Sequence, residues 1–426
     1  MTNQTSKERD FFTDRSVLLD PYSWLDESRA KGRVRKLDDR DILMVTGFAE
    51  ATEVLLNSDA FSSAIAAAGP TAPLPFEPQG SDITGQIAEH HHQFVGSESF
   101  ISYDGQRHAA SRSLLRGLFM PSRLRANEEY MRALADRMVT EAVSKGQSEI
   151  ISELATPYVT LVIADLLGLP EEDRASLFKI VTSGPQPGSI DDADAGASLM
   201  ALAQQLGPLF FGYIEDRRAN PRSDALTELA TAKYPDGSMP STQELVILAI
   251  FLFAAGQDTS AKLLGNAVRT LAENPAMQAT LRENPAKVSA FVEEMLRLEG
   301  STKVTFRLAR KDTTIGGIAV AAGTRVVASL AGANRDPARW ENPNAFVLDR
   351  PKIMEHLAFG RGAHTCIGGP LARAEVRVIL EQLLARTSRI ALSEAHHGSP
   401  GQRELHYEPS YIIRGLESLH VELTAK

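Results

Sequence analysis

The stretch "SMPSTQELVILAIFLFAAGQDTSAKLLGNAVRTLAENP", Ser238 to Pro275, constrains the fold more than any other. Ser241 and Glu244 have capping-box spacing, and Asn274–Pro275 is a stop signal, so the pattern predicts one helix of about 30 residues and about 45 Å. Its middle, Leu245 to Ala255, is apolar on every side. Such a helix has no face to offer to water, so it should run through the interior with other helices packed around it. The apolar run itself is shorter than the ~20 residues needed to cross a bilayer, which favours a buried helix over a membrane span.

The rest of the chain reads as its setting. Of 426 residues, 43% are apolar and 23% charged, ordinary usage for a globular protein. A net charge of −9 argues against a nucleic-acid partner, which needs a basic stripe. The polar start "MTNQTSKERDFF" lacks the apolar core of a secretory signal, so a cytoplasmic location is expected. The first ~60 residues suit a small sheet with flanking helices, and Ser62 to Ser99 reads as a long irregular loop. Helical periodicity predominates from about Gln106 to Arg350; Thr313 to Leu330 has the β-branched content and glycine turns of a hairpin, and the last ~30 residues look strand-like. No repeat or low-complexity linker divides the chain. The expectation is one domain, 1–426, mainly α with a minor β region.

"FGRGAHTCIGGPLARAE", Phe359 to Glu375, holds the only cysteine, Cys366. A lone thiol excludes an intramolecular disulfide and a protein-ligated iron–sulfur cluster, which typically takes four thiolates. Just ahead of a helix, free N–H groups and the helix dipole stabilise a thiolate, which serves as a nucleophile or a metal ligand. His364 lies near enough to act as a base for the first role. The apolar flank and four glycines suit a planar body against the backbone better. Zinc sites need further Cys or His at short spacing, whereas a haem iron needs one protein ligand.

Phe359, Gly362, Cys366 and Gly368 fit the pattern F-x-x-G-x-x-x-C-x-G, and the segment resembles the ligand loop of bacterial soluble cytochromes P450. The resemblance extends over nearly the whole chain. It implies a triangular, mostly helical fold with haem b between the long helix and the Cys366 loop, and Cys366 as axial ligand. Other motifs follow in the family's order. "EEMLR" matches its E-x-x-R pair as Glu294 and Arg297. The arginine that completes this pair in the family is replaced here by Ala345, with Arg350 as a candidate substitute. "AAGQDTS" matches the oxygen-activation motif: Ala255 would touch the haem, Gly256 leave room for O2, and Asp258 and Thr259 relay protons to it.

By the same resemblance, His108, Arg112, Arg307 and His364 would hold the haem propionates, with Phe359 and Gly368 against the ring. The family's Ser-Pro before the Arg307 strand is Gly300–Ser301 here, which leaves local backbone geometry open. Substrate would be bordered by Ile83–Phe100, Gly184–Met200, Phe251–Ala255, Lys303–Thr305 and Tyr411–Ile412, with Phe251, Ala255, Val304 and Ile412 as pocket residues. "EHHHQF" (His90, His91 and His92) lacks a metal-site pattern, and by the resemblance it lies in the loop over the distal pocket, within reach of substrate. The implied reaction is insertion of one oxygen atom into a C–H or C=C bond of a small or medium hydrophobic molecule (terpenoid, aromatic, fatty acyl or steroid). The chain has neither the cysteines for an iron–sulfur cluster nor a G-x-G-x-x-G, so electrons from NAD(P)H would arrive through a reductase and a separate ferredoxin. The ferredoxin would dock beside Cys366 on Arg112, Arg116, Arg361 and Arg373, and the enzyme would be a monomer. A peroxide-driven enzyme of the same fold, a non-catalytic haem sensor and a haem-free helical binding module are the alternatives.

Overall fold

The computed structural model describes residues 8–37, 40–183, 188–189 and 195–426. The long helix runs Thr242–Glu273, 32 residues. Ser241 Oγ accepts from the Glu244 amide at 3.2 Å, and the Glu244 carboxylate accepts from the Ser241 N–H at 2.7 Å. This reciprocal cap satisfies two donors that helix geometry would leave free. At the far end the Asn274 side chain accepts from the Met277 amide and opens the next helix, Pro275–Glu283.

The long helix is buried through Leu245, Leu248, Ala249, Leu252 and Phe253, and again through Leu263, Leu264, Ala267, Val268 and Leu271. Helices Thr156–Leu167, Ala195–Ala219, Val288–Glu299 and Gly369–Arg386 pack around it. Each fully buried Leu or Phe is worth about 2 kcal/mol, so this stripe anchors the helical core. By length and composition both Thr242–Glu273 and Ile150–Leu167 could cross a membrane, so the shortness of the apolar run is not what decides the matter; their packing inside the protein does. The polar stretch Ala254–Ser260 does not break the helix, which stays continuous, and Thr259 Oγ1 donates to the Ala255 carbonyl at 3.0 Å.

The β region is smaller. A five-stranded sheet has the order Val34–Lys36, Ile42–Val45, Arg325–Ser329, Val304–Ala309, Phe61–Ser62, with one parallel pair, Ile42–Val45 beside Arg325–Ser329. The expected hairpin is present as Thr313–Ile315 and Ile318–Val320, turning through Gly316 and Gly317 at φ 56° and 80°, which glycine adopts without strain. The rest of that predicted segment, Arg325–Ser329, leaves the hairpin for the larger sheet. At the C-terminus only His420–Ala425 is a full strand, between Gln147–Glu149 and Thr387–Leu392. The expected irregular loop, Ser62 to Ser99, contains a short helix, Thr84–Glu89, and a 3-10 turn at His91–Gln93; a second such turn, Phe100–Ser102, follows it.

Candidate active site

Two elements face each other across a cavity of about 430 Å³. One wall is the long helix, at Phe251, Ala255, Gly256 and Thr259; the other is the cysteine loop, at Phe359, Gly360, Cys366 and Gly368. Val304 and Ile412 complete the apolar lining, so all four expected pocket residues border it. The volume is within the range of about 300–1,000 Å³ usual for small-molecule sites.

The glycines of the cysteine loop have separate reasons. Gly360 and Gly362 sit at φ +66° and +78°, and a Cβ on Gly362 would fall 2.5 Å from the Leu55 carbonyl oxygen. A Cβ on Gly368 would lie 3.9 Å from Cys366 Sγ, so glycine there leaves the sulfur uncovered. A Cβ on Gly256 would make ordinary contact with Ile163 at 3.6 Å; protein packing alone does not demand that glycine. The Cys366 amide donates to the Phe359 carbonyl at 2.9 Å, closing the loop. The sulfur is exposed to the cavity; desolvation by the protein around it pushes the Cys366 thiol up, while hydrogen bonds from the Gly368 and Gly369 amides and the charges of Arg112 and Arg373 favour the thiolate.

At one edge of the cavity the four expected anion-binding residues meet. Arg112, Arg307 and His364 line it, and His108 stands behind, its ring stacked on that of His364 at 3.9 Å. Burial, reinforced by the neighbouring arginines, lowers His108 to about 4 and His364 to about 2, so both rings are neutral and can stack. Arg112 donates to the Thr365 carbonyl at 2.7 Å and Arg307 to the Phe306 carbonyl at 2.7 Å. Neither has an ion-pair partner among the described residues, and burial lowers Arg307 to about 10. His108 Nε2 is buried without a hydrogen-bond partner. Two uncompensated guanidiniums and an orphaned imidazole nitrogen inside a protein call for an anion. A single accessible sulfur below a wide apolar slot calls for a metal that brings its other ligands with it. The residues present therefore fit a haem with two carboxylate arms.

Other expectations are redistributed. Thr259 borders the cavity, but Asp258 does not; its carboxylate lies 3.9 Å from Lys262 Nζ, and Lys262 also pairs with Glu408. Burial raises Asp258, with Lys262 opposing. His90, His91 and His92 do not line the cavity. His90 instead stacks on Phe76 at 5.2 Å, and His92 is exposed. The same segment reaches the cavity through Phe100 and Ile101. Most of the expected Gly184–Met200 border lies outside the described residues. Among the basic residues near Cys366, Arg116 is exposed, Arg361 donates to the Glu355 carbonyl, Arg373 pairs with Glu293, and Arg112 turns inward.

Glu294 is fully buried and accepts from Arg297 Nε and Nη2 at 2.8 and 2.7 Å. Arg350 Nε also reaches both Glu294 oxygens, at 2.9 and 3.1 Å, so the substitute suggested by the sequence does complete the pair. Ala345 contributes its carbonyl, which accepts from both arginines.

One lining residue is a titratable group that the motif reading passed over. Glu375 is buried, its carboxyl oxygens have no partner of good hydrogen-bond geometry, and burial raises it to about 8, with the nearby Ser260 hydroxyl pulling the other way. Its signal was present: it stands four residues after Leu371 and four before Ile379, both buried on the same helical face. The folded carboxyl keeps its proton to about pH 8, whereas the unfolded one releases it near 4.5. Its contribution to stability is complete below the lower value and is lost as pH rises through the upper one. Glu375→Gln should abolish that loss, stabilising the protein at pH 8 relative to pH 5 by a few kcal/mol, at about 1.4 kcal/mol per unit of pKa. Urea denaturation at the two pH values checks this; parallel profiles for both proteins would contradict it.

Comparison with known proteins agrees with this geometry. Residues 210–391 match the family model described as "Cytochrome P450". Cytochrome P450 144 of Mycobacterium tuberculosis is 31% identical over 98% of this chain and 92% of its own. The substrate-free structure of Mycobacterium marinum cytochrome P450 CYP150A6 superposes with a TM-score of 0.91 at 47% identity, covering 98% of both chains. CYP109E1 from Bacillus megaterium in complex with corticosterone gives a TM-score of 0.79 at 27% identity, covering 96% of this chain and 99% of that one. Whole-chain similarity, a cavity floored by one cysteine and an anion cradle at its edge lead to one conclusion: the chain belongs to the cytochrome P450 family of haem-thiolate monooxygenases.

Proposed function

We propose that this enzyme oxygenates a small to medium hydrophobic molecule at a C–H or C=C bond, in the cytoplasm, as a single-domain monomer. Its electrons come from NAD(P)H through a reductase and a separate ferredoxin. The observation that carries the reading is the cavity itself: Cys366 on one wall, Thr259 on the other, and apolar side chains (Phe251, Ala255, Val304, Ile412) around the space between them. The bound haem supplies the activation of O2, which thiolate ligation favours by pushing electron density toward O–O cleavage.

The chain's own residues have separable tasks. Cys366 presents the sulfur, and Arg112, Arg307, His108 and His364 hold the carboxylate arms. Thr259 keeps a hydroxyl at the cavity wall, where it can pass on a proton. Asp258, which burial disposes to keep its proton, stands one residue away on the side of Lys262 and Glu408 and can recharge that hydroxyl. The apolar lining excludes water and orients substrate by shape. Arg116, with Arg361 beside the cysteine loop, offers the acidic ferredoxin a first contact.

Substrate class is tested by spectral titration of the haem-loaded enzyme with terpenoid, aromatic, fatty acyl and steroid compounds. At least one class should shift the Soret band; if none does, the apolar-substrate reading fails. The corticosterone bound by the Bacillus megaterium relative makes steroids a sensible first panel. With a substrate in hand, Thr259→Ala should lower product formed per NAD(P)H consumed by roughly tenfold or more, the scale of losing a positioned proton donor, while substrate binding changes little. Unchanged coupling would remove Thr259 from the proton path.

A further inference from the structure

Lys303 is 1% exposed, yet among the described residues it has no ion-pair partner. Its Nζ donates to two backbone carbonyls, that of Leu18 at 3.0 Å and that of Ser410. Burial, with Arg414 nearby, drives its pKa well below the usual lysine range. Two buried carbonyls thus take their hydrogen bonds from this one amine. The Lys303 amide, meanwhile, donates to the Ile412 carbonyl at 2.7 Å. One residue thus grips the turn Ser410–Ile412 at both ends, through its side chain and its main chain.

That turn matters to the pocket because Ile412 is a cavity wall. The turn is also tied on either side of Ile412, where the Tyr411 amide donates to the Gly188 carbonyl at 3.0 Å and the Arg414 amide to the Ser301 carbonyl at 2.7 Å. Ser410 is fully buried, and its hydroxyl accepts from the Ile412 and Ile413 amides at 3.1 and 2.9 Å, so moving Ser410 moves Ile412. On the outer side Ile412 is closely backed: a Cβ on Gly188 would fall 2.5 Å from its Cγ1. Tyr411 packs edge-on against Phe12 at 5.3 Å, and the Leu18 carbonyl ties the same lysine to the N-terminal segment.

We propose that Lys303 is a positioning residue for substrate selection: by tethering Ser410 to the Leu18 carbonyl it sets how far Ile412 projects into the pocket. This rests on the reading of the cavity as the substrate pocket. Removing the amine leaves two buried carbonyls without their donor, and the turn relaxes to find other partners.

The test uses haem-loaded enzyme and two iron-binding probes, imidazole, too small to need Ile412, and 4-phenylimidazole, which fills the space above the haem. Lys303→Met should leave imidazole affinity unchanged and weaken 4-phenylimidazole by about fivefold, as expected for a misplaced pocket wall. Ile412→Ala should weaken it similarly, and K303M/I412A should bind as I412A does, because the lysine acts through the isoleucine. Unchanged 4-phenylimidazole binding by K303M, or additive losses in the double variant, would overturn the role of Lys303 while leaving the pocket reading intact. Failure of the wild type to bind 4-phenylimidazole while binding imidazole would overturn the pocket reading and this inference with it. Should K303M yield no haem-loaded protein, hydrogen exchange on the wild type decides: amides of residues 410–413 should be protected like those of the long helix, and exchange within seconds would show that the turn is not held.

Discussion

Cys366→Ser should bring monooxygenase turnover to background and abolish the absorbance characteristic of a thiolate-ligated haem under carbon monoxide. The two side chains are nearly isosteric, and the loop is closed by a main-chain bond, Cys366 N–H to the Phe359 carbonyl, that serine keeps. Loss of function would therefore report ligand chemistry and not misfolding. A serine hydroxyl stays protonated where the Gly368 and Gly369 amides and Arg112 and Arg373 assist a thiolate. Arg112, Arg307, His108 and His364 remain in place, so the variant should still take up some haem. The informative comparison is thus between haem content, partly kept, and turnover, lost. Turnover near that of the wild type would sink the assignment of Cys366 as the axial ligand.

Arg350→Ala should lower the free energy of unfolding by about 1.5–3 kcal/mol, the scale of removing hydrogen bonds to a buried charge that keeps one other partner. Arg350 makes two contacts with the buried Glu294 carboxylate, at 2.9 and 3.1 Å, donates to the Ala345 carbonyl at 2.8 Å, and also binds the Glu341 carbonyl. Arg297 keeps its own two bonds to Glu294, so the site would be weakened and not emptied. Arg350→Lys should recover only part of the loss, because an ammonium cannot reproduce the fork. Urea denaturation followed by circular dichroism measures both variants. A change below about 1 kcal/mol, typical of an exposed pair, would mean that Arg350 is not part of the buried network.

These two predictions differ in how far the sequence leads to them. Cys366 was legible because its signal is local: one thiol, glycines at fixed offsets and a helix start within a few residues. The long helix was legible for the same reason, since capping, apolar periodicity and a terminating Asn-Pro all act within a turn or two. The hairpin at Gly316–Gly317 is a third case, because positive φ is a property of the residue that adopts it. The sequence could offer Arg350 only as a candidate, since nothing in "NPNAFVLDR" says which way the chain brings it back toward Glu294.

What the sequence by itself determined is which segments become helices and turns and which residue types are present to do chemistry, because caps, periodicity and glycine conformations depend on near neighbours. Only the tertiary structure decided which of these side chains meet and how dry their surroundings are. It stacked His108 on His364, left Arg112 and Arg307 without ion-pair partners among the described residues, turned Asp258 toward Lys262, kept His90, His91 and His92 off the cavity, and buried Glu375 and Lys303. Each of those outcomes depends on desolvation and on contacts between residues far apart in the chain, and both come into being only when the core closes.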